Sequence, residues 1–399
     1  MSGPRAPSPR RKPPQSPSPF SRDLEAELVM RSCTTFLNGH GPRRVDDLLT
    51  TIQLDTEIDY YGVGGVVRDL EVKVAELLAK PAAIFFPSGT MAQQIVLRVL
   101  AERRGSKTVA FHPACHLDTH EERGYQRLHG LFAVPVGPRE KPLSVASLEQ
   151  VHEPIGALLI ELPQRDLGGV LPTWNELNAQ VNWARERGAA VHLDGARLWE
   201  STPYYKKSPA EIAALFDSVY VSFYKGLGGI SGCCVAGEQD LIDEISTWRT
   251  RHGGRLYGLW PYAASALTVL ERRLPLMPKY YRHAVAIGKA LRDVPGVEVL
   301  PYPVQSPMMH LRLDIGEKEL RDRALAIARN ESIWTFARPF VSEGATLQRV
   351  EFTVGDATLD FRPADVRALV ERLVSETKTT KTAAKRATSS KPSSRRTRS

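Results

Sequence analysis

The stretch VHLDGAR, residues 191–197, is the part of this 399-residue sequence on which the prediction of the fold depends. An apolar run ends at Asp194, and the glycine and alanine that follow lead into a helical pattern. A carboxylate at the end of a buried strand needs a partner, because an unpaired buried charge is costly. That partner is either Arg197, in a structural ion pair, or a cationic ring nitrogen of a bound cofactor. The stretch therefore predicts a strand, a turn and a helix with an acidic group at their junction.

The alternation of strand and helix continues on both sides of residues 191–197. Apolar runs and helical periodicity predict strands at 82–86, 107–111, 131–136, 156–162, 190–193, 218–223 and 233–236, with helices at 67–80, 89–104 and 174–187. This order is typical of an α/β domain in which helices cover both faces of a mostly parallel sheet.

The pattern changes after residue 254. Helical stretches at 262–273 and 278–292 are followed by predicted strands at 297–302, 309–314, 334–337 and 350–354, with helices after residue 317 and at 363–374. We therefore expect an amino-terminal arm and a large domain over residues 23–272. A smaller carboxy-terminal α/β domain is expected over residues 273–376.

The two ends of the chain differ in composition from the rest. Residues 1–22 contain seven prolines and five basic residues with no acid, and residues 377–399 contain eight basic residues with no acid. Such segments bury too little apolar surface to offset the entropy of ordering, so we expect both tails to be disordered. The formal charge of +8 divides into +13 on the tails and −5 on residues 23–376, which argues against a polyanion-binding core.

Composition and cysteine content predict a cytoplasmic protein. The chain is 42% hydrophobic and 25% charged, and it has no apolar run long enough to span a bilayer. Its amino terminus has no hydrophobic segment, so we expect no signal peptide. Four irregularly spaced cysteines are too few for a disulfide framework or a zinc site: Cys33, Cys115, Cys233 and Cys234.

Two further segments stand just beyond predicted strands, where an open α/β sheet binds its ligand. Ser88, Gly89 and Thr90 follow strand 82–86 and begin a helix, so they form either a plain helix cap or a phosphate site. Lys225 follows another apolar strand and precedes a glycine run. Desolvation there would lower its pKa and make it a usable amine for a Schiff base; the alternative is a solvated surface lysine.

A segment rich in histidine, residues 112–122, follows the strand at 107–111. His112, His116 and His120 recur every four residues, as metal ligands on a helix would. Pro113 breaks the helix between the first two, so we expect no metal site.

Together these segments resemble the threonine aldolase and β-eliminating lyase family of pyridoxal-phosphate enzymes, which have the aspartate aminotransferase-like, or type I, fold. The resemblance covers about residues 30–375. Its most specific pieces are FPSGTMA at 86–92, LDGARLW at 193–199 and SFYKGLG at 222–228. Each piece is a modest signal, and their order and spacing together are specific.

The resemblance implies a role for each matched residue. Lys225 would form the Schiff base with pyridoxal 5′-phosphate, Asp194 would hold the ring nitrogen, and His116 would stack on the ring. Three residues would bind the phosphate: Ser88, Gly89 and Thr90. Three would hold the substrate carboxylate: Ser32, Arg197 and Arg349. A planar guanidinium is well suited to that last task.

The reaction implied is cleavage of a β-hydroxy-α-amino acid, most simply L-threonine or L-allo-threonine, to glycine and an aldehyde. The cofactor ring accepts the electrons of the broken Cα–Cβ bond while a base removes the hydroxyl proton. The resemblance also implies a homodimer or homotetramer with active sites between subunits.

Departures from the family pattern concern the substrate. The family residue matching Glu161 is followed by Asn-Thr-His, whose histidine faces the substrate hydroxyl, whereas this chain has Leu162, Pro163 and Gln164. A second reading is therefore β-elimination, or another reaction at Cα, on a different amino acid. A third, from another class, is a nucleic-acid-binding protein on an enzyme-like fold, suggested by the basic tails.

Overall fold

The computed structural model describes residues 23–53 and 55–375, and the tails predicted to be disordered, 1–22 and 377–399, lie outside the described residues. Thirteen strands occur in the described part: β1 Thr35–Phe36, β2 Ala82–Phe86, β3 Thr108–Phe111, β4 Phe132–Pro135, β5 Ala157–Glu161, β6 Ala190–Gly195, β7 Ser218–Ser222, β8 Cys233–Gly237, β9 Val297–Leu300, β10 Met308–Asp314, β11 Ile333–Trp334, β12 Val341–Gly344 and β13 Leu347–Thr353.

Fifteen α-helices connect or cover these strands in the same residues. They are α1 Leu24–Ser32, α2 Val45–Leu49, α3 Gly65–Leu78, α4 Gly89–Glu102, α5 His116–Thr119, α6 Gly124–His129, α7 Val145–Leu148, α8 Trp174–Glu186, α9 Leu198–Tyr205, α10 Pro209–Ala213, α11 Gln239–Arg251, α12 Trp260–Arg273, α13 Met277–Leu291, α14 Glu317–Glu331 and α15 Pro363–Val374. None of them is both long and apolar enough to cross a membrane.

The large sheet has seven strands in the order β2-β8-β7-β6-β5-β3-β4. All neighbours pair in parallel except β8, which is antiparallel to both β2 and β7. The prediction of a mostly parallel sheet is thus confirmed. Because β2, β3, β5, β6 and β7 all run the same way, their carboxyl ends meet at one edge of the sheet.

Helices cover both faces of this sheet, which explains why its central strands are mostly apolar. On one face α4 and α11 bury side chains such as Ile95 and Ile245. On the other face α3 and α8 contribute Leu70, Val74 and Val181. Every residue of β6 and β7 is buried. The strand-end residues are therefore fixed by a packed core beneath them.

The carboxy-terminal region forms a smaller α/β unit, as predicted. Its sheet is antiparallel, in the order β12-β13-β10-β9, and it packs with α13, α14 and α15. The amino-terminal arm joins this unit, because β1 pairs in parallel with β11 and α1 packs against α14. The predicted strand at 334–337 is instead the two-residue β11, bounded on its carboxyl side by an irregular segment. The domain boundary between residues 272 and 273 stays a prediction.

Candidate active site

The candidate site lies at the carboxyl edge of the large sheet, beside a cavity of about 560 Å³ that we call the Lys225 cavity. Its wall includes Arg197, Tyr224, Lys225 and Gly226, together with residues 38–43 of the amino-terminal arm. The strand order places the ends of β5, β6 and β7 side by side here, and register pairs Glu161 with Asp194 across β5 and β6.

Lys225 stands three residues beyond the end of β7 and is half-buried. Burial, followed by the nearby Arg197 guanidinium, lowers the pKa of its amine, and the carboxylates of Asp194 and Glu161 oppose that shift. A lowered pKa makes the neutral, nucleophilic amine more available.

The loop that carries Lys225 is held by residues from distant parts of the chain. His40 Nε2 lies 2.8 Å from the carbonyl oxygen of Gly226, and Arg273 donates to the carbonyl oxygen of Leu227 at 2.6 Å. Because a carbonyl only accepts, His40 carries its proton on Nε2, which leaves Nδ1 to accept the Asp356 N–H at 3.1 Å.

Asp356 completes this support through its carboxylate. It accepts hydrogen bonds from Arg273, at 2.7 Å, and from the Tyr280 hydroxyl. Nothing in the sequence pattern marks His40, Arg273 or Asp356 as site residues. They come from the arm, the end of α12 and the segment after β13, and no local motif joins them.

Asp194 is the penultimate residue of β6 and is 3% exposed. Its carboxylate accepts the backbone N–H of Ala196 at 3.1 Å. Burial raises the pKa of Asp194, while the positive charges of Lys225 and His116 favour its anion. Arg197 makes its ion pair with Glu200 instead, so the structural ion pair that the sequence allowed between Asp194 and Arg197 is not formed.

Glu161 ends the neighbouring strand and shares this environment. It accepts the backbone N–H groups of His116 and Arg165, each at 3.0 Å. Burial, and then the negative charge of Asp194, raise the pKa of Glu161 to about 8. The two buried acids therefore disfavour each other's charge, and the positive charges near Asp194 favour its anion.

His116 begins α5 close to these carboxylates. Its Nδ1 lies 3.1 Å from the Glu121 carboxylate, which is itself buried. This contact with Glu121 fixes the orientation of the imidazole ring, and Nε2 is the ring nitrogen that does not contact Glu121. His120 packs with its ring centroid 5.0 Å from that of His116, and its Nε2 bonds Asp166 at 3.0 Å. The described residues contain no cluster of three or more His, Cys, Asp or Glu that could hold a metal.

The segment Ser88 to Thr90 lies between β2 and α4 at the same edge. Ser88 is the N-cap residue, yet its hydroxyl makes no capping hydrogen bond, so it is free to contact a ligand. A Cβ on Gly89 would clash with the Tyr220 hydroxyl, so only glycine fits there. The first N–H groups of a helix have no partners within it and form an anion site. Thr90 is exposed on this turn.

Register relates this turn to the lysine loop. Phe86 pairs with Cys233 of β8, and Cys233 pairs with Ser222 at the end of β7. The carboxyl ends of β2 and β7, which lead to Ser88 and to Lys225, are therefore two strand spacings apart, or about 10 Å.

Two of the residues predicted to hold a substrate carboxylate lie outside the described wall of the Lys225 cavity. Ser32 is exposed at the end of α1, and its hydroxyl donates to the Val29 carbonyl at 2.7 Å. Arg349 lies on β13, where its guanidinium donates to the Asp166 carbonyl at 3.4 Å and approaches Glu343 at 3.3 Å. Of the three residues predicted to hold a substrate carboxylate, Arg197 thus lies with Lys225 in the wall of the cavity. Arg349 contacts Asp166, and Ser32 contacts neither Lys225 nor Asp166.

Gln164, which stands where the family has histidine, is 5% exposed and bonded to His112. The His112 Nε2 atom lies 2.7 Å from the Lys141 carbonyl and must be its N–H donor. Its Nδ1 therefore accepts from the Gln164 amide at 2.5 Å. The Gln164 side chain is committed to this contact behind the strand ends.

These groups match the chemistry of pyridoxal phosphate. The amine of Lys225 suits its aldehyde, the Asp194 carboxylate suits a cationic ring nitrogen, and the free Ser88 hydroxyl at the start of α4 suits its phosphate. The residues present therefore fit the cofactor.

Comparison with known proteins gives the same result. A sequence model of the β-eliminating lyase family matches residues 46–314. The aldolase vrtJ of Penicillium aethiopicum is 32% identical over 307 residues, covering 75% of each chain. The low-specificity L-threonine aldolase 1 of Arabidopsis thaliana is 25% identical over 325 residues, 76% of this chain and 90% of its own.

A solved structure extends the likeness to the fold. A candidate L-allo-threonine aldolase of Listeria monocytogenes EGD-E is 38% identical, with a TM-score of 0.83, and the match covers 88% of this chain and 98% of that one. The chain therefore belongs to the threonine aldolase and β-eliminating lyase family, whose members are pyridoxal-phosphate-dependent lyases with the type I fold.

Proposed function

We propose that this protein cleaves a β-hydroxy-α-amino acid of the L-threonine or L-allo-threonine type to glycine and an aldehyde. The observation that carries the proposal is the placement of Lys225, with its lowered pKa, at the same sheet edge as Asp194 and the start of α4. The names of the aldolase relatives support the choice of substrate class.

The chain's own residues divide the work of holding the cofactor. Lys225 supplies the amine, Asp194 the counter-charge for the ring nitrogen, and Ser88, Gly89 and Thr90 the phosphate contacts. When bound, pyridoxal phosphate supplies an electron sink for the pair released as the Cα–Cβ bond breaks.

Arg197 is proposed to bind the substrate carboxylate, because its guanidinium lies in the wall of the Lys225 cavity. Arg349 is proposed to assist from β13, where it already bonds the backbone of Asp166. The part of Ser32 in carboxylate binding stays a prediction.

His116 is proposed to accept the proton of the substrate hydroxyl as well as to stack on the cofactor. Its Nδ1 is held by Glu121, so the other ring nitrogen is oriented to act as a base. Gln164 cannot take this role, since a neutral amide is no base and its nitrogen is bonded to His112.

The replacement of the family histidine by Gln164 keeps β-elimination as a second candidate. Incubation of the holoenzyme with L-threonine, L-allo-threonine and phenylserine separates the two reactions. The proposal predicts glycine and the matching aldehyde in equal amounts. A 2-oxo acid and ammonia without glycine would favour elimination instead.

We propose further that the protein forms a homodimer or homotetramer. Six exposed apolar side chains from two neighbouring loops support this: Ile58, Tyr60, Tyr61, Val63, Leu256 and Tyr257. The loops are tied together by a hydrogen bond from the Tyr61 N–H to the Tyr257 carbonyl at 2.9 Å. Apolar patches of this kind mark interaction surfaces. Light scattering on the holoenzyme tests the proposal, and a monomeric mass contradicts it.

A cytoplasmic location is proposed from the cysteines. Cys33, Cys115, Cys233 and Cys234 are all buried and carry free thiols, as is usual in a reducing compartment.

A further inference from the structure

Glu200 is a buried acid beside the candidate site to which the proposed reaction assigns no role. It lies in the first turn of α9 and is 2% exposed. Neither of its carboxylate oxygens has a hydrogen-bond partner among the described residues. Buried polar atoms are almost always hydrogen-bonded, so this exception calls for an explanation.

The Glu200 carboxylate lies between two candidate site residues, Arg197 and Lys225. Its Oε1 is 3.6 Å from Nε of Arg197, an ion pair too long for a hydrogen bond, and that Nε is also without a partner in the described part of the chain. A Cβ on residue 226 would clash with the same oxygen, so the carboxylate rests directly on the backbone of Gly226, next to Lys225.

The charges around Glu200 come from three elements. Arg197 precedes α9, Lys225 follows β7, and Glu351 lies on β13, where it pairs with Arg165. Burial raises the pKa of Glu200 to about 7; Glu351 adds to this shift, and Arg197 and Lys225 oppose it. Glu200 can therefore change its charge near neutral pH when a further charge arrives.

A substrate carboxylate bound to Arg197 would be such a charge. Arg197 lines the Lys225 cavity, and its Nε side faces Glu200, so an incoming carboxylate would meet the rest of the guanidinium from the cavity. Two carboxylates would then share one buried cation. Like charges in one site cannot both stay ionised without a large cost, and the group already near its pKa is the one to take a proton.

We propose that Glu200 is a positioning residue for Arg197 that exchanges its charge for that of the substrate. Without substrate and above neutral pH, Glu200 is ionised and balances the guanidinium. When a carboxylate binds Arg197 from the cavity, Glu200 takes up one proton from solvent and becomes a neutral acid. The inference rests on the proposed role of Arg197 in substrate binding.

This exchange makes carboxylate affinity depend on pH. Binding favours the protonated form of Glu200, so affinity is constant below its pKa and falls above it. With one proton taken up per carboxylate, the dissociation constant rises about tenfold for each pH unit above the pKa.

The test uses 3-hydroxybutyrate, which has the carboxylate and hydroxyl of threonine without the amino group and so cannot join the cofactor. Its dissociation constant is measured on the holoenzyme by titration calorimetry from about pH 6 to about pH 9. The variants are Glu200→Gln, which imitates the neutral acid, and Glu186→Gln, a matched change at an exposed acid on α8.

The wild-type protein and Glu186→Gln should lose affinity about tenfold per unit above pH 7, whereas Glu200→Gln should bind equally well throughout. The same pH dependence in all three proteins, or loss of binding in Glu200→Gln at every pH, would overturn the proposal. So would the absence of any 3-hydroxybutyrate binding to the wild-type protein.

A second measurement needs no variant. Calorimetry at about pH 8 in buffers of different ionisation enthalpy counts the protons that the wild-type protein takes up, and the proposal requires close to one per carboxylate bound. A count of zero contradicts it. Glycine release from threonine, assayed on the same preparation, reports separately on the proposed function. Cleavage without proton uptake contradicts only the role of Glu200. Proton uptake without cleavage contradicts only the proposed reaction.

Discussion

Two half-buried lysines stand at opposite edges of the large sheet. Lys80 comes just before β2, and its amine donates to the Phe216 carbonyl at 2.6 Å, just before β7. Lys225 comes just after β7, beside a cavity and near the carboxylates of Asp194 and Glu161. Burial lowers the pKa of both amines.

The difference between these edges shows that a lowered pKa does not by itself mark a functional lysine. At the amino edge, a backbone carbonyl and the charge of Asp217 satisfy Lys80. At the carboxyl edge, diverging chain connections leave room for a ligand beside Lys225. Substitutions at the carboxyl edge should therefore lower mainly the activity, and substitutions at the amino edge should lower mainly the stability.

The largest effect is expected from Lys225→Ala. Without the amine, the cofactor has no covalent attachment, so visible absorbance of the attached cofactor and glycine release should both fall below detection. Lys80→Ala should keep both properties and lose about 1 kcal/mol of unfolding free energy, since it removes one hydrogen bond. Absorbance, product assay and urea unfolding measure these outcomes. Full activity in Lys225→Ala would end the assignment.

The next effect concerns the acids beside each lysine. Asp194→Asn removes the charge proposed to hold the ring nitrogen, and loss of one partner of a buried ion pair costs about 3–5 kcal/mol. We expect kcat/KM to fall by the factor that corresponds to this free energy. Asp217→Asn is the matched change at the amino edge, where Asp217 accepts the Val191 N–H at 2.6 Å. It should lower the melting temperature and leave kcat unchanged; equal kinetic losses would contradict the comparison.

A smaller effect is expected from Arg197→Lys. An ammonium keeps the charge but loses the bidentate geometry, which costs about 1.5–3 kcal/mol for a charged hydrogen bond, or a tenfold to hundredfold rise in KM. Arg185, near Lys80, donates to the Leu215 carbonyl at 3.0 Å and provides the control. Steady-state kinetics should show no change of KM in Arg185→Lys. A fall in kcat alone for Arg197→Lys would argue against carboxylate binding.

The smallest effect is expected from Gln164→His. The change disturbs the contact with His112 and should cost about 1 kcal/mol of unfolding free energy. Threonine cleavage should change little, because the Gln164 amide is turned to His112. A gain of about a hundredfold or more, the size of a general-base effect, would show that position 164 faces the substrate and would weaken the role proposed for His116.

The sequence predicted the large sheet well. Strand 82–86 and helix 363–374 have the predicted bounds, since an apolar run of five residues and an amphipathic stretch that begins with proline are strong local signals. Asp194 and Lys225 are predicted site residues because each lies at or just beyond the carboxyl end of a buried strand, and topology alone brings such residues together. For these elements and residues, the local sequence pattern was sufficient for the prediction.

The parts that could not be predicted depend on contacts between distant segments. The helix after residue 197 was predicted, but its local pattern does not show that Glu200 faces Arg197 and the backbone of Gly226. His40 reaches Gly226 across 186 residues of chain. Ser32 matches a family motif yet lies exposed on α1, because that helix packs against α14 instead of the sheet edge.

One measurement tests the central claim most directly. Borohydride treatment of the holoenzyme fixes the lysine–cofactor linkage, and peptide mass mapping then locates it. The account predicts cofactor mass on the peptide that contains Lys225 and none on the peptide that contains Lys80. Attachment at Lys80 or any other lysine would contradict the assignment of the active site to the carboxyl edge of the sheet.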